Sequence, residues 1–230
     1  MGNAFIKQRT VNMNEKYILE QYNHTKDDFN DVWKIESQYF NPKMISPVSQ
    51  VINWDKKNKD IHIFVKDKNT CSVIGEITLL PLTKKQYESF ITNKLEDTDI
   101  DEVNLINYED KMECYLLFSA IAIDLKYRND RRVLSNLLKG LIAKINSLQE
   151  RGIIFKNMCA EAITSDGSKF IKGFLDLKEE TKTNEGYTIY SFNDKNDMDK
   201  WLKIFPSYIK EYDLKTDMIN MNLTLSLIHI

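Results

Sequence analysis

Two periods of hydrophobic spacing alternate along this chain, and the switches between them outline its elements. In "TKDDFNDVWKIESQYF", Phe29, Val32, Trp33 and Phe40 share one helical face, Thr25 can cap, and Asp27 and Asp28 suit the first turn. "PVSQVINWDKK" predicts a second short helix opened by Pro47. "DIHIFVKD" and "SVIGEITLLPL", parted by the turn-like "KNTC", read as a β-hairpin, and a short helix is expected over 83–93. "MECYLLFSAIAID" is apolar on both faces, as in a central strand covered by helices on each side. From Val133 to Leu148 a leucine-rich stripe holds for four helical turns, with Gly152 as a stop.

"KNMCAEAIT" then reads as a buried strand, "SDGSKFIKGFLDL" as a brief helix capped by Ser165, and "GYTIYSF" as the strand that closes the sheet. "NDMDKWLKIF" predicts a short helix stopped by Pro206. The last residues, "INMNLTLSLIHI", alternate as a half-buried strand that could pair with a sheet edge in a homodimer. Residues 1–24 predict a short strand and a loop. The expected organisation is one domain over 1–195 and a C-terminal helix with a strand-like tail over 196–230.

Composition narrows this little. With 230 residues, 42% hydrophobic and 29% charged, the chain can bury a core of its own. A net charge of −2 gives no pull toward nucleic acid. Cys71, Cys114 and Cys159 are odd in number and lie in strand-like runs, which predicts buried, reduced thiols. No secretory signal is read, and the longest apolar run, Cys114 to Ile123, is too short to span a bilayer as a helix. A soluble, cytoplasmic protein without membrane partners is expected.

The chemistry is bounded by what is missing. His24, His62 and His229 lack metal-ligand spacing and read as structural or surface residues. There is no G-x-x-x-x-G-K-[ST] and no G-x-G-x-x-G after a strand, so nucleotide sites of those kinds are not expected. Between Glu96 and Lys111 stand seven acidic residues, Glu96, Asp97, Asp99, Asp101, Glu102, Glu109 and Asp110. They form either a solvated loop or an acidic flap that concentrates a cationic substrate.

The most telling stretch is "LKYRNDRRVLSNLLKGL". Lys126, Arg128, Arg131 and Arg132 crowd a helix start, where the helix dipole already disfavours cations. A bound pyrophosphate would turn that cost into charge-assisted bonding. "AIAIDLKYRNDRRVLSNLLKGL" resembles the fourth strand, pyrophosphate loop and third helix of the GNAT superfamily of acetyl-CoA-dependent N-acetyltransferases, and "AEAITSDGSKFIKGF" its fifth strand and following helix. The similarity covers roughly residues 25–193. Arg132 and Leu134 stand where the family has glycines, the loop is one residue longer, and Lys169 and Phe170 stand where a tyrosine often acts as general acid.

The resemblance implies an α+β fold, a mixed and mainly antiparallel sheet flanked by helices and splayed between its fourth and fifth strands. It further implies that acetyl-CoA is held by Ile121, Ile123 and Leu125 at the strand end, by Tyr127, Arg128, Arg131 and Arg132 in the loop, and by Val133, Leu134 and Ser135 on the helix. Acetyl transfer needs a neutral amine, hence a base. Glu113 and Tyr115 share a face at the start of the fourth strand and are candidates; Glu76 is another and Glu161 a weaker one. The acceptor would be a small-molecule amine, by preference cationic, or a peptide amine. The competing expectation is an inactive module that keeps the fold and binds CoA or a partner.

Overall fold

The computed structural model describes residues 16–214, with side chains as far as Ser207. Its first helix, α1 (Lys26–Glu36), starts as the sequence predicts. Thr25 Oγ1 accepts from the Asp28 amide at 3.3 Å and the Asp28 carboxylate accepts from the Thr25 amide at 2.8 Å, satisfying two donors that a helix start leaves open. Phe29, Val32 and Ile35 are buried, whereas Trp33 is exposed. One position past Val32 is about 100° around the helix, enough to leave the buried stripe. α2 (Val48–Lys57) follows, with Pro47 as its cap residue.

The hairpin β2 (His62–Asp67) and β3 (Val73–Leu82) turns at Cys71, which is exposed with φ +58°. The turn needs that left-handed residue, so only Cys114 and Cys159 are the buried thiols expected. After α3 (Lys84–Ile91) the acidic segment is tied down. Gln50 and Trp54 of α2 donate to the Ile100 carbonyl, at 3.0 and 2.6 Å, and Arg151 donates to Asp110 at 2.9 Å.

The central strand β4 (Glu113–Ile123) leads into the long helix α4 (Arg131–Glu150), followed by β5 (Ile154–Ala162) and α5 (Ser165–Phe170). The cap of α5 is Thr164, whose Oγ1 accepts from Gly167 N at 2.9 Å, and not Ser165. The chain goes on through β6 (Lys178–Lys182), β7 (Thr188–Ser191) and α6 (Lys195–Leu214).

With β1 (Tyr17–Glu20), the strands form one seven-stranded sheet in the order β1-β2-β3-β4-β5-β7-β6. The strand "GYTIYSF" therefore does not close the sheet; it inserts between β5 and a polar edge strand, "KEETK", that has no apolar alternation to announce it. Pro206 does not stop α6 but lies inside it. Met198, Trp201 and Phe205 of that helix are buried in the main core. The alternating C-terminal stretch lies outside the described residues.

Faces follow from strand alternation. α4 covers one side and approaches closely at Gly140, where a Cβ would stand 2.6 Å from Ile63 Cγ2 and 2.7 Å from Leu19 Cδ1. α1 covers the other side, packing Phe29, Val32 and Ile35 on Phe64, Val73 and Ala122.

Two irregularities shape the middle of the sheet. β4 and β5 are the parallel pair, and their pairing ends at Phe118↔Ala160 although β4 runs on to Ile123 and β5 to Ala162. The sheet is thus splayed between its fourth and fifth strands. At the same level the β3–β4 register slips: Thr78 faces Ala120 and Leu79 faces Phe118, which leaves Ser119 as a bulge.

Candidate active site

The bulge changes which residues face α1. Leu117 precedes it on that face, and the inserted Ser119 brings itself and Ala120 to the same side, so all three border a cleft. Trp54, Phe90 and Phe118 contribute aromatic walls, and Val32, Ile45 and Val51 aliphatic ones. Four carboxylates enter it from four elements: Glu36 at the end of α1, Glu76 on β3, Asp97 in the acidic segment and Glu161 on β5. No described lysine or arginine lines the cleft.

The carboxylates are not independent. Glu36 and Glu76 are hydrogen-bonded to each other, which two carboxylates can do only when one holds a proton. Burial pushes Glu76 up to about 8; burial and the Glu76 charge push Glu36 well above the usual carboxylate range. Burial, then the charge of Asp97, lifts Glu161 to about 7. Burial also raises Asp97, although Ser119 Oγ donates to its Oδ2 at 2.9 Å. Four acids crowded into one low-dielectric cleft cannot all ionise without a counter-charge.

Beneath them lies a histidine. His62 is buried, pushed down to about 3 by that burial, and so neutral at physiological pH. Its Nδ1 lies 3.0 Å from Thr78 Oγ1, and Thr78 Oγ1 lies 3.5 Å from Glu76 Oε2. Thr78 has one proton to give. Given to Glu76, it makes His62 Nδ1 the donor and leaves His62 Nε2 as a bare lone pair, which finds no partner. Glu76 Oε1 likewise lacks a conventional donor. Among the described residues no group has the makings of a metal site.

The loop after β4 contrasts with the cleft. Asp130 caps α4, its Oδ1 accepting from the Arg132 amide at 3.1 Å. The Arg132 guanidinium grips the same carboxylate at 2.8 and 2.5 Å, and Tyr17 OH donates to it at 2.5 Å. Arg132 thereby holds Asp130 well below the usual carboxylate range. The Leu125 amide donates to Gln38 Oε1 at 2.9 Å, the Lys126 amide to Asp124 Oδ1 at 2.8 Å, and the Tyr127 amide to the Asp124 carbonyl at 2.8 Å. Tyr39 OH donates to the Ile123 carbonyl at 2.8 Å. Part of the puzzle of crowded cations is thus solved within the chain: Arg132 answers Asp130. Lys126, Arg128 and Arg131 make no ion pair among the described residues.

The residues singled out in the sequence separate accordingly. Glu76 and Glu161 meet in the cleft. Glu113 lies at the opposite end of β4, exposed and paired with Lys156 at 2.8 Å, and Tyr115 stacks on Tyr87 with ring centroids 4.5 Å apart; neither borders the cleft. Ile121, Val133, Leu134 and Ser135 are buried, Ile123 and Arg128 half-buried, and Leu125, Arg131 and Arg132 exposed. Tyr127 is half-buried, its hydroxyl 3.2 Å from Asp67 Oδ2. Glu36, Thr78, Asp97, Ser119 and His62 were not anticipated as site residues. Asp97 had a signal in the acidic run and the others had none, because a bulge and a helix end assemble them.

No protein-family model matches the sequence, and no curated protein does. Solved structures do. The loading GNATL domain of CurA from Lyngbya majuscula superposes with a TM-score of 0.50 at 12% identity, covering 79% of this chain and 99% of that one. GphF, described as a GNAT-like decarboxylase in complex with isobutyryl-CoA, superposes with a TM-score of 0.54 at 8% identity, covering 76% and 98%. An N-acetyltransferase from Staphylococcus aureus Mu50 matches at 15% identity over 79% and 99%, with a TM-score of 0.48. At such identities the likeness is one of architecture. Its sheet, its parallel β4–β5 pair and its near-complete cover of the CurA and GphF domains give this chain the fold of the GNAT superfamily.

Proposed function

We propose that the protein is an N-acyltransferase that uses acetyl-CoA to acylate a primary amine on a small cationic molecule. The observation that carries this reading is the acidic cleft at the bulge of β4, beside the splay. The splay fits an acyl-CoA: β4 runs five residues beyond its last partner in β5, and Lys126, Arg128 and Arg131 stand unpaired by any described residue at the start of α4. Those cations and the free edge of β4 would hold it, in keeping with the isobutyryl-CoA named for GphF. Acetyl-CoA, when bound, supplies a thioester whose acyl carbon accepts the amine as its C–S bond breaks.

The chain's own part is to make the amine neutral and hold it. An ammonium is drawn to the carboxylates, and the Glu36–Glu76 pair takes its proton. A base near 8 suits that task better than an ordinary carboxylate, because the transfer from an amine of about 10 is less uphill. Thr78 orients Glu76, and Ser119 orients Asp97. Trp54, Phe90 and Phe118 keep water from the nitrogen lone pair.

The test is release of the CoA thiol from acetyl-CoA with a panel of primary amines, wild type against Glu76→Gln. Amine-dependent release that the variant loses is the expected outcome. Release equal in both proteins would remove Glu76 as base. One observation favours the second reading, a module of this fold without catalysis: Asp130, Gln38 and Tyr39 already use polar groups of the loop and strand end. It predicts no thiol release with any amine.

A further inference from the structure

Resting on that reading, we infer that the acceptor carries two cationic groups, and that Asp97 and Glu161 form an anchoring subsite for the ammonium that does not react. The cleft has more acid than one amine can use. Glu36 and Glu76 share a proton and act as one unit on the β3 side of the bulge. Asp97 and Glu161 stand on its other side: Asp97 is bonded to the bulge residue Ser119, and Glu161 follows Ala160, the last residue of β5 that pairs with β4. Two acidic units, coupled through the charge of Asp97, thus face one cavity whose described lining contains no lysine or arginine.

A second observation points to a ligand. Among the described residues His62 Nε2 has no partner and Glu76 Oε1 no donor besides the proton shared with Glu36, and both residues line the cleft and are 1% exposed. A bare imidazole lone pair and a carboxylate oxygen are both acceptors. Their missing complement is a donor with several N–H groups, which an ammonium supplies. A metal ion would also bring positive charge, but the described residues provide no metal-holding group. Glu76 and Glu161 sit on strands two ladder spacings apart, about 10 Å where the sheet is paired, and the splay and the offset of Glu76 to the level of Ala122 widen their backbone separation. A chain of four or five methylenes with an amine at each end suits such a separation, and the apolar walls of Trp54, Phe90 and Val51 suit its methylenes.

The experiment is isothermal titration of the protein with 1,4-diaminobutane and 1,5-diaminopentane, against 1-aminobutane and 1-aminopentane, near pH 7. It is run in two buffers of different ionisation enthalpy. The diamines are expected to bind at least tenfold more tightly than the monoamines, with net release of protons as the cleft acids ionise against them. Glu36, Glu76, Asp97, Glu161 and His62 are the groups that face the ligand and can titrate. Glu161→Gln and Asp97→Asn should each remove most of the diamine advantage, weakening diamine binding several-fold more than monoamine binding. Thermal melting shows whether the variants remain folded. Equal affinity for mono- and diamines, or a diamine advantage that survives both substitutions, overturns the inference. Diamine binding without thiol release from acetyl-CoA would defeat the transferase reading and leave the dication site standing. Equal thiol release with both amine classes, together with equal binding, would defeat the dication site alone.

Discussion

The acidic cleft and the basic loop lie at successive levels of β4, and they treat their polar groups in opposite ways. In the loop the acidic and amide groups are used, while Lys126, Arg128 and Arg131 make no ion pair among the described residues. Asp130 receives Arg132, Tyr17 and an amide, while Asp124 and Gln38 take further amides. In the cleft, Glu36 and Glu76 share a proton, and His62 Nε2 has no partner among the described residues. A fold satisfies its buried polar groups where it can, so unmet ones that line a cavity mark where stability was given up for binding. The comparison teaches that a conspicuous charge pattern marks a site only through those of its charges that lack partners.

The sharpest way to break the contrast is to neutralise its central acid. Glu76→Gln should lower kcat/KM for amine acylation by about a hundredfold or more, the ordinary cost of losing a general base. The same change should stabilise the protein. Glu76 has a folded value near 8, above the roughly 4.3 of an unfolded chain. The neutral carboxyl is therefore favourable at low pH, and its stability is lost as pH rises through about 8. The variant's advantage should grow from about pH 5 to pH 8 and then level, reaching about 1–3 kcal/mol in denaturant titrations. A loss of activity accompanied by a loss of stability would point to a structural role instead.

The pH profile sharpens the same point with a smaller effect. Because the base must be unprotonated, kcat/KM should climb with pH below about 8 and flatten above it. Initial rates at low amine concentration read this directly. A profile already flat from pH 6 would assign the proton transfer elsewhere.

The loop offers the smallest effect. Asp130→Asn keeps a capping side chain but removes a negative charge beside the cations proposed to hold the phosphates. Acetyl-CoA affinity should improve by about three- to tenfold, the scale of one charge near a helix start. Unchanged affinity in a binding titration would mean that the phosphates do not approach α4.

Much of the scaffold was legible because its signals are local. Thr25 and Asp28 box the start of α1, the leucine stripe fixes α4, and the two-sided apolar run of β4 marks a central strand. The misreadings are equally physical. The edge strand β6 is polar on both faces, with its partnership to β7 as its support. Pro206 sits within α6, where buried Trp201 and Phe205 fasten the helix to the core around it. The site was less visible. Glu76 and Glu161 could be nominated because charged residues in apolar strands are conspicuous, but Glu36 reaches the cleft from a helix end and Ser119 enters it through a register slip. Glu113, nominated from family habit and strand alternation, lies six residues from the bulge, about 20 Å along the strand.

The central claim is that the opening between β4 and β5 receives an acyl-CoA beside a cleft ready to deprotonate an amine. Its most direct test is calorimetric titration of acetyl-CoA into the wild type and into a variant with Lys126, Arg128 and Arg131 replaced by alanine. The account predicts saturable, micromolar binding to one site in the wild type and at least tenfold weaker binding in the variant. No saturable binding to the wild type at millimolar acetyl-CoA would contradict it, leaving a GNAT fold whose acidic cleft serves something other than acyl transfer.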